Sequence, residues 1–236
     1  MAPIAAVYRL VLRSQLTRAK VVGLLAMGVV GILVGTAVGS NADRPELAAT
    51  RFVAVFGLNL LAPVGTLVVA SAAFGEMRED ATMVYLWLRP VARWKPVLGA
   101  AAAVLTITLP LVVLPLALAA AATGQGATLV VAAMASSALG VLAYTGLFLL
   151  LGLLVRRALV WGLAYILIWE GFVAQAGKTA SRLAMRAYTG SIVSRLTDVP
   201  LRLATVSAFF SVAGPVVACA GALAIATWRM RTQDVA

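Results

Sequence analysis

Few residues in this chain have the chemistry to act on another molecule. Of its 236 residues, eight are acidic, one is cysteine and none is histidine. Without imidazole there is no His-based acid–base catalysis, no Ser-His-Asp relay and no common zinc or haem ligation. Cys219 lies inside an apolar run, where a thiol is inert and reads as packing; being alone, it forms no intrachain disulfide. Ser136, Ser137 and Tyr144 lie in another apolar run and read as packing or interhelical hydrogen bonding rather than as a nucleophile with its base. Glu170 stands apart as the one acid deep in an apolar run. A charge at mid-bilayer costs about 2.5–3.5 kcal/mol on insertion scales, so it normally faces a cavity or a partner. Lys178, Arg182 and Arg186 follow at four-residue spacing, a single basic helical stripe. The expectation is an ion pair between Glu170 and a cation of this stretch. Structurally it is a cross-link; functionally it lines the exit of a substrate path.

Two other patterns need weighing. Gly171 to Gly177-Lys178-Thr179 resembles a phosphate loop, but five residues separate the glycines where four are needed. An apolar helix rather than a strand leads into it, so its backbone N–H groups cannot cradle phosphate. The chain is therefore expected to be no enzyme and to hold no cofactor or metal. Glu76, Glu79 and Asp80 put three of the eight acids at the start of one polar segment. Acids there suit a helix N-terminus, and Pro90 disfavours continued helix at Arg89. A short helix with exposed acids and an apolar side of Met83, Tyr85, Leu86 and Trp87 fits either a docking surface or a membrane-surface helix.

The elements that position these residues follow from composition. Hydrophobic residues make up 63% of the chain and charged ones 11%, with mean hydropathy +1.02; soluble domains are usually about 45–50% apolar and about 25% charged. The excess comes in uncharged runs at 21–38, 52–74, 97–122, 128–155, 159–176 and 204–228. Each is about long enough to cross a bilayer, and without alternating strands they read as helices. The first run exceeds a signal-peptide core and is read as a membrane helix. The expectation is an all-α polytopic membrane protein, one domain over 1–236 with six transmembrane helices. Residues 1–20 form an amphipathic interfacial helix, with Ile4, Tyr8, Leu12 and Leu16 on one stripe and Arg9, Arg13 and Lys20 on another. Residues 75–95 form a cytoplasmic segment. Gly31, Gly35 and Gly39, and Gly214, Ala218, Ala222 and Ala226, recur at the spacing that lets helix backbones approach.

The charge of +11, with pI near 11.1, reads as basic loops meeting anionic lipid rather than nucleic acid, since little polar surface remains outside the spans. Twelve Lys and Arg fall on the side of both termini and seven on the other, which places the termini in the cytoplasm.

On these residues the chain resembles a known family. The permease subunits of type-2 ABC exporters, six-helix class, carry after their second helix a loop patterned as Glu, a few residues, Gly-Thr, a Leu-Leu pair and Pro-Val-x-Arg. This chain has Glu76, Thr82, Tyr85-Leu86 and Arg89-Pro90-Val91-Ala92-Arg93. Ala81 stands where the family often has Gly, and Ala100 where a Lys often follows the glycine matched by Gly99. The resemblance implies that Glu76, Glu79, Asp80, Thr82, Tyr85, Leu86, Arg89, Pro90 and Arg93 seat in a cytoplasmic ABC ATPase subunit. It also implies short re-entrant-like helices over 177–203 before the last span, and a second permease copy as partner, a homodimer. ATP and Mg would bind the partner ATPase, and a lipophilic or amphipathic cargo would be exported across a bacterial-type inner membrane. A small secondary transporter driven by an ion gradient is the alternative, disfavoured by the single intramembrane acid and the lack of a clear repeat.

Overall fold

The computed structural model describes residues 2–79, 92–172, 181, 183–201 and 206–232, the side chains of the first stretch over 4–75. Every regular element among them is helical: α1 Ala2–Gln15, α2 Arg18–Asn41, α3 from Pro45 to Glu79, α4 Trp94–Ala122, α5 Ala127–Leu154, α6 Ala158–Glu170, α7 Met185–Thr197 and α8 Ala208–Thr232. Five of these, α2, α3, α4, α5 and α8, are long and apolar enough to cross a membrane. The chain is an all-α membrane protein.

The run at 159–176 departs from the expectation of one uniform span. Its described part, α6, is about 20 Å long at 1.5 Å per residue, short of a hydrocarbon core of about 30 Å. The first half, Ala158–Ala164, is α-helical and the second, Tyr165–Glu170, is a π-helix. α3 also changes pitch, with Val53–Leu61 a π-helix between the α-helical pieces Pro45–Phe52 and Ala62–Glu79. Pro63 offers a local cause: it has no N–H for the Asn59 carbonyl, and the Ala62 N–H already reaches back five residues to the Gly57 carbonyl.

Two buried apolar clusters mark the two ends of the bundle. At the basal end Val7 and Val11 of α1 join Ala73 and Phe74 of α3, Val97 and Ala100 of α4, Leu149 and Leu153 of α5, and Met230 of α8. At the distal end Val53 and Leu61 of α3 join Ala119 and Ala120 of α4, Leu129 and Ala133 of α5, and Val193 of α7. Both terminal helices and both flanks of the 80–91 segment therefore gather at the basal end.

Small residues set the spacing. A Cβ on Gly28 would come within 2.6 Å of Pro115, and Cβ atoms on Gly35 and Gly39 would strike the carbonyl oxygens of Ala119 and Thr123. The glycine stripe of α2 is thus spent inside the molecule, on α4 and on Phe56 of α3 opposite Gly31. Gly214 meets Tyr188 of α7, while Ala222 and Ala226 of α8 are buried. α1 differs from its expected stripe. Its fully covered residues are Val7, Val11 and Gln15, and Leu16 is half exposed. Gly99 is the reason: with no side chain, it lets α1 approach so that a Cβ there would lie 2.9 Å from the Ile4 carbonyl oxygen. Protein rather than lipid covers that side, and Arg9 and Arg13 face outward.

Candidate functional site

α7 begins deep in the bundle, and that start dictates the site. Its first residue is preceded by Ala184, extended and without a side-chain oxygen to cap the orphan N–H groups of the first turn. Glu170, at the end of α6, supplies the missing acceptor from fifteen residues away. The Met185 N–H donates to Oε1 at 2.9 Å and the Arg186 N–H to Oε2 at 3.4 Å. The carboxylate thus sits where the helix dipole favours negative charge. Tyr165 donates its hydroxyl to Oε1 at 3.2 Å, and Tyr144 of α5 also interacts with this carboxyl group. Arg186 Nε stands 4.0 Å from Oε2. Glu170 and Arg186 are 3% and 5% exposed.

Aromatic rings wall the carboxylate. Tyr144 stacks on Phe148 with centroids 5.6 Å apart, and Phe148 meets Tyr165 edge-on at 6.2 Å. The level of Tyr144, ten residues before the end of α5, puts the centre about 15 Å from the basal end, near mid-height. Above it, α7 runs toward the distal end along α5, with Thr189 opposite Gly140 and Val193 in the distal cluster. Ser191 Oγ accepts from the Val206 N–H at 2.9 Å, and Arg195 donates to the Val206 carbonyl at 2.7 Å, so the entry to α8 is tied to α7. α6 packs beside Leu67 of α3 through Gly162, and α7 packs beside the π stretch of the same helix. The two half-helices therefore occupy the basal and distal halves along α3 and α5.

Of the three candidate cations, Arg186 is the one beside Glu170; Lys178 and Arg182 lie outside the described residues, as does Gly177-Lys178-Thr179. Among the segment residues, Glu76 and Glu79 fall in the last turns of α3, and Arg93 immediately precedes α4. Asp80, Thr82, Tyr85, Leu86, Arg89 and Pro90 lie outside the described residues. Ser136 and Ser137 donate to the carbonyls of Ala132 and Ala133 in their own helix, both at 2.6 Å, so they do not bridge helices. Cys219 is buried against the backbone of α5 at Gly146. Among the described residues no group of three metal-ligating side chains exists.

The sequence reading missed Tyr165 and the Met185 N–H. The tyrosine leaves a signal only once the pitch is known: in a π-helix a residue five positions before Glu170 shares its face. The arrangement offers no nucleophile beside a base. What it offers is a charged, hydrogen-bonded junction between two half-helices. No family model matches the sequence, and a search of curated proteins finds no match.

Proposed function

We propose that the chain is the membrane-spanning permease subunit of an ATP-driven ABC exporter. It works as a pair of identical copies coupled to separate cytoplasmic ATPase subunits and moves a lipophilic or amphipathic cargo outward across a bacterial-type inner membrane. The observation that carries the reading is the basal end. The segment patterned like a type-2 exporter coupling loop leaves α3 just beyond Phe74 and enters α4 just before Val97, and α1 is seated on both. A push on that segment has a packed route into α3, α4 and α1 together. The basal end also holds Arg9, Arg13, Arg18, Lys20, Arg93, Lys95, Arg156, Arg157, Arg229 and Arg231, against Arg44, Arg51 and Arg195 at the distal end. That asymmetry supports a cytoplasmic basal end. α6 and α7 then make the sixth crossing between them, as two stacked halves.

The test is affinity purification of the tagged chain in mild detergent. A soluble ATPase recovered in equal amounts, with ATP-dependent transport on reconstitution, is the expected result. Transport by the chain alone, driven by an ion gradient and indifferent to ATP, would overturn it. That second reading draws on one observation: a half-helix whose N-terminus ends at mid-height beside a buried charge pair is an arrangement that ion-driven transporters use.

A further inference from the structure

Arg186 is the least satisfied group in the described bundle. Its guanidinium carries five N–H donors, yet it makes no hydrogen bond among the described residues. Nε is sealed from solvent without a partner, and the 4.0 Å to Glu170 Oε2 is ion pairing without a hydrogen bond. Glu170 is committed elsewhere, to the Met185 and Arg186 N–H groups and the Tyr165 hydroxyl. The charges do not cancel either. One carboxylate faces one guanidinium plus the N-terminus of α7, worth about half a positive charge. A positive, donor-rich point buried in the bundle beside aromatic rings is the environment of an oxyanion site. Its borders suit a tail as well as a head. Phe172, two residues beyond Glu170, is 79% exposed, and Leu183, two before Met185, is 60% exposed. Both offer exposed apolar surface beside the charge pair's helix ends.

We propose that Arg186, backed by the positive end of α7, holds the oxyanionic headgroup, carboxylate or phosphate, of an amphiphile whose tail lies along the exposed apolar surface near Phe172 and Leu183. This deepens the export reading by naming its cargo class, but it is measured on the chain alone, so either can fail without the other.

The test uses the purified full chain in uncharged micelles, with dansyl-labelled undecanoic acid as the probe and energy transfer from Trp161 and Trp169 of α6 as the signal. The acid is expected to bind saturably and its uncharged methyl ester about tenfold or more weakly, the difference that a charge-assisted hydrogen bond makes. Glu170→Gln combined with Arg186→Gln removes both charges, so no lone charge is buried, and should weaken the acid to the level of the ester. Arg186→Lys, which keeps the charge but loses the fork, should fall between them. Equal binding of acid and ester by the unaltered chain overturns the proposal whatever the variants do. Displacement of the probe by excess inorganic phosphate as effectively as by unlabelled undecanoic acid also overturns it, because the site would then take ions and have no use for a tail.

Discussion

Removing the charge from Glu170 should cost far more than removing it from both Glu170 and Arg186 in proportion. In Glu170→Gln the amide oxygen can still accept from the Met185 N–H, so the cap on α7 is partly kept. What is lost is the counter-charge of a guanidinium that is 5% exposed. Breaking a buried pair from one side costs about 3–5 kcal/mol, because an uncompensated charge remains. Arg186→Gln leaves the carboxylate with two backbone N–H donors and the Tyr165 hydroxyl, which places it at the lower end, about 3 kcal/mol. The double variant strands neither charge and should cost about 2–3 kcal/mol in total, leaving about 3–6 kcal/mol of coupling. The chain carries its own reporter, since Cys219 is its single thiol and is 6% exposed. Thermal unfolding can be followed with a dye that fluoresces on reaction with a thiol. At about 2–4 °C per kcal/mol for a chain of this size, Glu170→Gln should lower the midpoint by about 6–20 °C and the double variant by no more than about 12 °C. If the two single effects instead sum to the double within about 0.5 kcal/mol, the groups are independent and the junction described above is wrong.

Gly146→Ala should destabilise by about 1–2 kcal/mol, because the new Cβ would lie 2.8 Å from the Cys219 Cα and outweigh the gain in helix propensity. Gly221→Ala meets nothing within 4 Å and should be neutral or stabilising by up to about 1 kcal/mol; the same sign for both in the thiol-dye melt contradicts the packing of α5 on α8. Val11→Ala deletes a fully buried side chain between α1 and α4 and should cost about 1–2 kcal/mol, whereas Leu10→Ala, 54% exposed, should cost much less. Combined Glu79→Lys and Asp80→Lys should leave the melting midpoint of the chain within about 2 °C yet break the link between ATP hydrolysis and transport in the reconstituted complex; coupling preserved at unaltered expression counts against docking through that segment.

Much of the architecture could be read from residue order because lipid leaves few choices. An uncharged run of membrane length must satisfy its backbone internally, and five of the six runs fall in helices long and apolar enough to cross a membrane, their ends lying up to seven residues from the predicted ones. The small-residue stripes were also visible, though not their partners: Gly35 and Gly39 meet α4 because Ala119 and Thr123 present bare backbone oxygen there. Two features were hidden for physical reasons. Hydropathy does not register helix pitch, so 159–176 looked like one uniform span although its described part changes from α to the wider π pitch within thirteen residues. The stripe expected on α1 is half-buried at Ile4, Tyr8 and Leu12, and the best-covered row lies beside it, because periodicity ranks residues by apolarity. The structure covers Val7 and Val11 in the cluster that holds Ala100 and Ala103, with Val7 beside Gly99, and buries Gln15 on the same side. The pairing of Glu170 was foreseeable in kind, since an isolated intramembrane acid needs a cation. Its more demanding partner was the backbone of α7, which no residue type announces.

That backbone demand explains why the acid is where it is. A helix that starts at mid-height exposes its first N–H groups to an apolar interior, where each unpaired group costs several kcal/mol. The side chain of Ala184 has no acceptor for them, so one must come from another element. The π stretch Tyr165–Glu170 brings one in: its last N–H bond, from Gly171 to the Ile166 carbonyl at 2.8 Å, spans five residues and turns Glu170 onto the face that meets α7. The π stretch of α3 packs beside the same half-helix on another side. Two departures from α-helical pitch therefore border one element. Separation of α6 from α7 would strand both N–H groups and the guanidinium at once.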